Sequence, residues 1–336
     1  MKTILITGGA GFMASNFARH LLKTYPDYRI IIVDALTYAG SMENVPDHER
    51  VEFWYGDVRN AELIGTLMPK ADAVVHFAAE THVTRSIFDN KIFFETDVLG
   101  TQCIANAVLK NDNVKRFIHI STSEVYGTAI EDQMDENHPI NPMSPYAAAK
   151  AGADRLVYSY HQTYGIPATI IRPFNNYGPR QHLEKVVPRF ITSCLLDEPL
   201  TVHGTGSAKR DWLFVEDLAR AVDAALHSSK DLDGEVINIG TGRDIDVLNI
   251  AEQITDTMNK PRSLISNVGE RPGQVSRHTS STEKARDLLG WESSVSFEEG
   301  ISRTIQWYSD NREWWERILW LRQVPIVTKD GQKEFH

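Results

Sequence analysis

The chain has few cysteines, a deficit of positive charge and no long apolar run, and each shortage excludes a class of protein. Two cysteines among 336 residues, Cys103 and Cys194, exclude a disulfide framework, and both lie in apolar helical patterns that predict buried thiols in a reducing compartment. The net charge of −10 argues against nucleic acid or an anionic membrane as a partner. No stretch approaches the ~20 apolar residues of a membrane helix, so we expect a cytoplasmic protein.

The remaining composition is that of an ordinary globule, with 42% hydrophobic and 24% charged residues. The length suits one large domain or two medium ones. Four histidines, His82, His119, His161 and His182, lack the spacing of metal ligands, so we predict no metal site.

In the first half of the chain, short β-branched runs alternate with helical patterns. This alternation predicts an α/β fold of the Rossmann type, a doubly wound parallel sheet with helices on both faces. The predicted strands are 3–7, 29–33, 51–54, 73–77, 117–121 and 168–172, and the predicted helices are 11–23, 61–68, 92–109 and 145–164.

After residue 177 the alternation weakens, which predicts a smaller C-terminal α/β lobe that binds substrate. We assign residues 1–177 to the dinucleotide-binding domain, with returns near 204–240, and residues 178–203 and 241–322 to the lobe, followed by a tail, 323–336. Helices are predicted over 187–196, from 216, and over 247–258, 282–289 and 297–308, with strands at 200–203, 212–215 and 236–239. Trp314, Trp315 and Trp320 are predicted to pack against the domain.

The turn after the first strand reads Gly-Gly-Ala-Gly-Phe-Met-Ala over residues 8–14. Gly8 and Gly11 permit a tight turn and let the backbone amides of Phe12 and Met13, at a helix N-terminus, approach a pyrophosphate. The third small position of this fingerprint is Ala14. The turn therefore predicts a dinucleotide site.

Asp34 ends the second predicted strand about 20 residues further on, where a carboxylate binds the adenosine ribose. An acid at this position disfavours a 2′-phosphate, so the predicted cofactor is NAD. Asp57 and Val58 follow the third strand and are predicted to meet the adenine.

Two strings carry the chemistry, Ser-Thr-Ser-Glu-Val-Tyr at 121–126 and Tyr-Ala-Ala-Ala-Lys at 146–150. Ser144 and Pro145 are a good helix start, so Tyr146 and Lys150, four apart, share one face of that helix. A phenol needs about three pKa units of help, ~4 kcal/mol, to act as a base near neutrality. The lysine charge and an oxidised nicotinamide are predicted to lower the phenol pKa.

These residues resemble the extended short-chain dehydrogenase/reductase family, and within it the nucleotide-sugar 4,6-dehydratases, especially those acting on dTDP-glucose. The resemblance spans nearly the whole chain, in segments 7–16, 33–40, 76–87, 121–126, 146–150, 172–179, 184–185, 210–217, 238–240, 271–273 and 289–291. It implies a homodimer that pairs helices 92–109 and 145–164 of two subunits. It also implies that Ala78 and Ala79 lie beside the cofactor.

The resemblance implies a redox-neutral cycle that yields a 4-keto-6-deoxy sugar. Tyr146 removes the 4-hydroxyl proton, Thr122 orients that oxygen, and hydride passes to NAD. Lys150 holds the nicotinamide ribose as well as tuning the tyrosine. The ketone acidifies C5, Glu124 abstracts its proton, water leaves from C6 and the hydride returns there.

Ser123 departs from the family, whose glucose-type members have aspartic acid between the threonine and the glutamate. A serine has no acidic proton of its own and can at best relay one to the leaving hydroxyl. The Ser-Glu pair is similar to that of GDP-mannose dehydratases, in which Glu124 would be both base and acid. It is also similar to that of UDP-glucuronate decarboxylases, which leaves a decarboxylase or a 4-epimerase as alternatives. A regulator that senses NAD without chemistry is the alternative outside enzymes.

The resemblance also assigns residues to the nucleotide sugar. Basic side chains are expected to neutralise its diphosphate, since the acidic chain as a whole repels it. Asp244 and Gln274 stand where dTDP-glucose enzymes have asparagine and histidine, which leaves the base open. The predicted substrate residues are Ser86, Thr122, Asn175, Lys185, Val186, His203, Arg210 and Arg271.

Overall fold

The computed structural model describes residues 2–269, 275–327 and 333–335, and seven parallel strands form its centre. These strands are nearly continuous runs of isoleucine, valine and leucine, because helices cover both faces of the sheet. In chain order the strands are β1 (Thr3–Thr7), β2 (Arg29–Asp34), β3 (Val51–Tyr55), β4 (Ala73–His76), β5 (Arg116–Ile120), β6 (Ala168–Pro173), β7 (Asn175–Tyr177), β8 (Leu200–His203), β9 (Lys209–Phe214), β10 (Val236–Ile239), β11 (Asp244–Asp246), β12 (Ile265–Val268), β13 (Arg277–His278), β14 (Pro325–Val327) and β15 (Lys333–Phe335).

The order across the central sheet is β10-β6-β5-β4-β1-β2-β3. The chain runs outward from β1 to β3 and then crosses back to β4, so β1 lies between β2 and β4. Ligands of such sheets bind beyond the carboxyl ends of the strands where the order reverses. The predicted fold class, a doubly wound Rossmann-type sheet with a smaller C-terminal α/β lobe, is confirmed.

Helices cover the sheet in two layers. The first layer packs α1 (Phe12–Thr24) and α8 (Val215–Leu226) on one face, through Phe17 and Leu218. The second layer packs α2 (Ala61–Leu67), α5 (Thr101–Leu109) and α6 (Pro145–Tyr164) on the other face. The α-helices are α1 (Phe12–Thr24), α2 (Ala61–Leu67), α3 (Val83–Phe88), α4 (Lys91–Phe93), α5 (Thr101–Leu109), α6 (Pro145–Tyr164), α7 (Val186–Leu196), α8 (Val215–Leu226), α9 (Val247–Thr257), α10 (Glu283–Leu289), α11 (Phe297–Asp310) and α12 (Arg312–Glu316).

The predicted helix 92–109 is present, but it is not uniform. Its middle, Phe94–Gly100, is π-helical and joins α4 to α5. The sequence pattern does not distinguish this wider turn from an α-helix. Such segments occur often at functional sites, and this one faces α6.

The smaller lobe has its own sheet and core. Strands β11, β9, β13 and β7 form a four-stranded sheet, and β8 pairs with β12. Within the stretch 204–240, β9 belongs to the lobe sheet. Helix α8 packs on the central sheet, and β10 is a strand of it. The lobe core contains the fully buried Trp315 and Tyr308.

Most predicted elements are present with bounds shifted by at most three residues. Pieces of two to six residues carry too little periodicity to be predicted, and the short elements that were not predicted include α3, α12, β7, β11, β12, β13, β14 and β15. Trp315 is buried and Trp314 packs on Trp307, as predicted. Trp320, in the short helical turn Leu319–Arg322, is 75% exposed, so the prediction that it packs against the domain is wrong. Cys194 is buried and Cys103 is half-buried.

The described part of the chain contains no helix that is both long and apolar enough to cross a membrane. The same residues contain no group of three or more histidine, cysteine or acidic side chains that could hold a metal ion.

Candidate active site

A cavity of about 500 Å³ lies beyond the carboxyl ends of β1, β4 and β5, between the central sheet and the lobe. This volume is typical of small-molecule sites. The residues predicted for the cofactor and for catalysis all line it, namely Gly8, Gly11, Phe12, Met13, Asp34, Asp57, Val58, Ala78, Ala79, Thr122, Ser123, Glu124, Tyr146 and Lys150.

The turn between β1 and α1 is shaped for close approach of a ligand. Gly8 has φ +70°, and a Cβ there would lie 2.7 Å from the Cα of Ala78. Among the described residues no side chain caps α1, whose N-cap is Gly11, so its first amides are available to an anion. These features fit the pyrophosphate of a dinucleotide.

Asp34 is anchored at the end of β2 and is only 9% exposed. Its carboxylate accepts the amide of Ala10 at 2.9 Å and the amide of Leu36 at 2.7 Å. Burial raises the pKa of Asp34, and the two amides lower it. Each oxygen keeps a lone pair for a ribose hydroxyl.

The first catalytic string follows β5 as a single helical turn, Ser123–Tyr126. Thr122 caps this turn, since its hydroxyl accepts the Glu124 amide at 3.2 Å. Ser123 is 2% exposed, and its Oγ lies 3.4 Å from Nδ1 of His278. The side chain of Glu124 is partly exposed in the cavity.

The second string lies in the first two turns of α6. The Ser144 hydroxyl accepts the Ala147 amide at 3.1 Å, and Pro145 occupies the first turn, as predicted. Tyr146 hydrogen-bonds with Thr122 across the cavity. The Lys150 ammonium donates to the carbonyl of Ile120 at 2.7 Å.

The sequence predicts that Lys150 and an oxidised nicotinamide together lower the pKa of Tyr146, but Lys150 is not among the groups that shift this pKa in the protein alone. Burial raises the pKa of Tyr146, the Thr122 hydrogen bond lowers it, and Asp97 and Glu124 raise it further. The net shift is upward. The physical reason is that burial, the largest cause, acts with the two carboxylates against a single hydrogen bond, while the Lys150 ammonium is directed to the carbonyl of Ile120 at the end of β5.

Sequence reasoning missed a buried group of charges behind these residues. Asp97, on the π-helical turn, accepts the Glu80 amide at 2.8 Å, and its other oxygen has no hydrogen-bond partner among the described residues. Asp154 is paired with Arg172 at 2.8 Å. Burial lowers the pKa of Lys150, and Asp97 and Asp154 raise it. The spacing of Asp154, four residues after Lys150, is a signal that could have indicated this contact.

Five residues predicted for the substrate line the lobe side of the same cavity, namely Asn175, Lys185, Val186, His203 and Arg210. Lys185 donates to the carbonyl of Thr81, and Arg210 donates to that of Lys209 at 2.8 Å.

Two further positions named from the sequence, Ser86 and Asp244, have surroundings other than those predicted. Ser86 is buried and donates to the carbonyl of Val83 at 2.6 Å, and it is not among the described side chains that line the cavity. Asp244 is paired with Arg277 at 2.8 Å. Arg271 and Gln274 lie outside the described residues.

A second polar cluster at the cavity wall was also missed. Glu184 accepts the Tyr38 hydroxyl at 2.9 Å and the Arg85 guanidinium at 2.7 Å. Burial opposes ionisation, but His82, Lys185, His182 and Arg85 together lower the pKa of Glu184 to about 2. Of the segment Glu184-Lys185, only the lysine is predicted from the sequence to bind the substrate.

Comparisons with known proteins agree with this geometry. A family model described as GDP-mannose 4,6 dehydratase matches residues 5–304. A dTDP-glucose 4,6-dehydratase of Streptomyces antibioticus is 42% identical over 320 residues, which cover 94% of this chain and 95% of the relative.

Solved structures agree as well. DesIV, a dTDP-glucose 4,6-dehydratase of Streptomyces venezuelae solved with NAD, is 39% identical with a TM-score of 0.90, over 94% of this chain and 99% of that one. A UDP-glucuronic acid 4-epimerase of Bacillus cereus is 30% identical with a TM-score of 0.87, over 92% of this chain and 99% of that one. The chain therefore belongs to the GDP-mannose 4,6-dehydratase family of extended short-chain dehydrogenases/reductases.

Proposed function

We propose that the protein is an NAD-dependent hydro-lyase that converts a nucleoside-diphosphate hexose to its 4-keto-6-deoxy derivative. The observation that carries this proposal is the convergence of Thr122, Glu124, Tyr146 and Lys150 on one cavity beside a dinucleotide turn. A dehydratase needs a base for the 4-hydroxyl and a second base for C5, and these residues supply both.

The residues present fit NAD. The glycine turn and the first amides of α1 would hold the pyrophosphate, and Asp34 would hold the adenosine ribose and disfavour a 2′-phosphate. Asp57, Val58, Ala78 and Ala79 complete the cofactor side of the cavity. When bound, NAD supplies the oxidation at C4 and the return of the same two electrons to C6.

Tyr146 would accept the proton of the 4-hydroxyl, with Thr122 hydrogen-bonded to the same oxygen. The protein's own groups raise the phenol pKa, so the positive charge of an oxidised nicotinamide would have to favour the phenolate. Lys150, fixed by the carbonyl of Ile120, would orient the nicotinamide ribose.

Glu124 would remove the C5 proton once C4 is a ketone, because the adjacent carbonyl acidifies that C–H bond. Ser123, next to it, would relay a proton to the departing 6-hydroxyl. We further propose that Asn175, Val186 and His203 contact the sugar or base, and that Lys185, Arg210 and Arg271 balance the diphosphate.

A panel of dTDP-, UDP-, GDP- and CDP-hexoses tests this function. Product mass should show loss of water, and alkali should develop the absorbance of a 4-keto sugar. Deuterium placed at C4 of the accepted substrate should be found at C6 of the same molecule. Deuterium lost to solvent or transferred to another molecule would overturn the proposal.

A 4-epimerase or decarboxylase on the same scaffold is the second candidate. It is favoured by the likeness to a UDP-glucuronic acid 4-epimerase and by a serine in place of the acid. Unchanged product mass would indicate the epimerase, and loss of carbon dioxide would indicate the decarboxylase. NAD binding without turnover on any sugar would indicate a regulator.

Two variants separate the half-reactions. Tyr146→Phe should abolish oxidation, so neither ketone nor reduced cofactor forms. Glu124→Gln should still reduce the bound cofactor but stop before elimination. Full turnover of Glu124→Gln would remove the glutamate from its role as the C5 base.

We also propose a homodimer in a reducing, cytoplasmic compartment. The homodimer is supported by exposed apolar side chains on the two predicted pairing helices, where Leu99 is 53% exposed and Tyr158 is 37% exposed. Light scattering should give twice the chain mass for the wild type and one chain mass for Leu99→Glu. Tyr55→Glu, at the sheet edge β3 and 73% exposed, is the control and should remain dimeric.

A further inference from the structure

The elimination step needs a proton donor for the 6-hydroxyl, and the sequence has a serine rather than an acid beside Glu124. The leaving 6-hydroxyl requires a proton, and Ser123 stands where an acid would have to be. A serine hydroxyl donates only if another group replaces its proton in the same step, because an alkoxide is too unstable near neutrality. A titratable group behind Ser123 would meet this need.

His278 lies directly behind Ser123 and is fully buried. His278 is the last residue of β13, which pairs with β9, so the lobe sheet positions it against the helical turn Ser123–Tyr126. Its Nδ1 lies 3.4 Å from Oγ of Ser123 and 3.9 Å from Oε1 of Glu124. The ring also stacks edge-on against Phe174, with 6.3 Å between centroids.

The other ring nitrogen fixes the tautomer. Nε2 lies 2.6 Å from the carbonyl oxygen of Gly127, which can only accept a hydrogen bond. Nε2 therefore carries the hydrogen in both protonation states. The exchangeable proton is the one at Nδ1, which faces both Ser123 and Glu124.

We infer that His278 is a proton-relay and positioning residue that carries the proton gained by Glu124 to Ser123, whose hydroxyl protonates the leaving 6-hydroxyl. This inference rests on the proposed dehydratase function and deepens it. It gives the Thr-Ser-Glu turn an acid without requiring Glu124 to face C5 and O6 in turn.

The step balances in atoms and electrons. Glu124 takes the C5 proton, the electron pair of that C–H bond forms the C5–C6 double bond, and the C6–O pair leaves with the oxygen. Glu124 passes this proton to Nδ1 of the neutral His278 ring, Nδ1 passes it on to Oγ of Ser123, and the Ser123 hydroxyl proton goes to the departing oxygen. Water departs, and the three side chains regain their starting states.

The charged and titratable groups around His278 suit a transient donor. Burial lowers the pKa of His278, and Arg210 of β9 and His138 of the loop before α6 lower it too, whereas Glu124 and the Gly127 carbonyl raise it. The net shift is downward, so the resting ring is neutral. Because its pKa is lowered, the ring readily gives up from Nδ1 the proton that Glu124 supplies.

His278→Gln tests the relay, because an amide keeps hydrogen bonds but cannot transfer a proton. We use the NAD-loaded enzyme and the nucleotide hexose found by the panel. Reduction of the bound cofactor should keep its wild-type rate, while elimination, followed by product mass after rapid quenching, should slow ~100-fold. The reduced cofactor should accumulate.

Two further measurements distinguish a relay from a structural role of His278, namely rescue of elimination by a second substitution and non-additivity of two variants. Ser123→Asp added to His278→Gln should restore elimination to within ~10-fold, since it supplies an acid directly. Ser123→Ala should slow elimination as His278→Gln does, and the double variant should be no slower than either. His161→Gln, which removes another ring bonded to a carbonyl (Ile166, 3.0 Å), is the control and should behave as wild type.

Several results would overturn the relay. They are wild-type elimination in His278→Gln, equal loss of oxidation and elimination, or no rescue by Ser123→Asp. If His278→Gln does not fold, Ser123→Ala gives the same readout with the histidine in place, and its wild-type elimination would overturn the relay. Failure of the wild type to reduce its cofactor with any sugar would instead count against the proposed function.

Discussion

At the scale of single residues, the cavity wall is held by buried charges with specific partners. Glu184 is the clearest case, because its carboxylate has no exposed side-chain surface and still remains ionised. The Arg85 guanidinium stacks over Tyr38 at 4.0 Å while it pairs with Glu184, so one arginine joins the two residues. Such a cluster orients the wall only while the carboxylate is charged.

The pKa of Glu184 therefore makes stability depend on pH. A folded pKa of about 2, below the unfolded value, means that the contribution is complete above the unfolded pKa and is lost as pH falls toward 2. The shift corresponds to roughly 3 kcal/mol for this buried group. Urea unfolding at about pH 7 and about pH 3 should show a smaller acid loss for Glu184→Gln than for wild type. An equal loss would contradict the assignment.

Gly8 is the residue at which backbone geometry should matter most for the cofactor. An alanine there would put Cβ 2.7 Å from Ala78 Cα, in a conformation that L side chains rarely adopt. Gly8→Ala should weaken NAD binding at least ~10-fold, measured by calorimetric titration. Gly65→Ala on α2, where the added methyl meets no atom within 4 Å beyond its chain neighbours and the adjacent backbone of its own helix, is the control and should bind NAD normally.

At the scale of elements, α6 carries the catalytic pair because its start is fixed. The N-cap hydroxyl of Ser144 and the ring of Pro145 set the first turn, which determines where Tyr146 points. The helix ends at Gly165, φ +68°, a left-handed residue that stops it after 20 residues. The start at Ser144 and Pro145 was predicted from the sequence.

Ser144→Ala should remove this anchor. The expected loss of unfolding free energy is ~1 kcal/mol, with a drop in kcat because the first turn loosens around Tyr146. Thermal unfolding and steady-state kinetics check it. Ser159→Ala, an exposed serine later on the same helix, should change neither. Equal effects of both substitutions would indicate that the cap does not position the tyrosine.

The helix opposite α6 shows the limit of element prediction. Its extent, 92–109, follows from apolar periodicity, but the π-helical turn over Phe94–Gly100 does not. One extra residue per turn changes which side chains face α6, and it brings Asp97 toward Lys150. The charge behind the catalytic lysine therefore depends on a local geometry that no propensity specifies.

At the scale of the molecule, the two lobes share one buried carboxylate. Asp211 of β9 accepts the amide and hydroxyl of Thr241 at 2.8 and 2.6 Å, and the Gly242 amide at 2.9 Å. It also accepts the amide and hydroxyl of Ser280. The residue ties the lobe sheet to the loop that leaves the central sheet after β10.

Removing this acceptor should destabilise the whole chain rather than one lobe. Asp211→Ala leaves several buried donors without partners, so we expect a loss of at least about 3 kcal/mol in one cooperative transition. Calorimetry checks both the size and the cooperativity. Asp132→Ala, whose side chain is almost fully exposed, is the control and should unfold like wild type. An unfolding free energy equal to that of the wild type would contradict the role given to Asp211.

The sequence alone determined the sheet, the dinucleotide turn and the catalytic pair. Each of these depends on short-range patterns, namely β-branched runs, glycines after a strand, and Tyr146 and Lys150 one helical turn apart. The homology carried by the motifs supplied the chemistry. These features were predictable because they are encoded within about twenty consecutive residues.

Tertiary structure alone decided what surrounds the catalytic groups. His278 is 155 residues from Ser123 in the chain, and Asp97 reaches Lys150 from another helix. Packing also decided the direction of the Tyr146 pKa shift, because burial and the neighbouring carboxylates outweigh the Thr122 hydrogen bond. The physical reason is that desolvation and Coulomb interactions depend on distance in space, which sequence spacing does not specify.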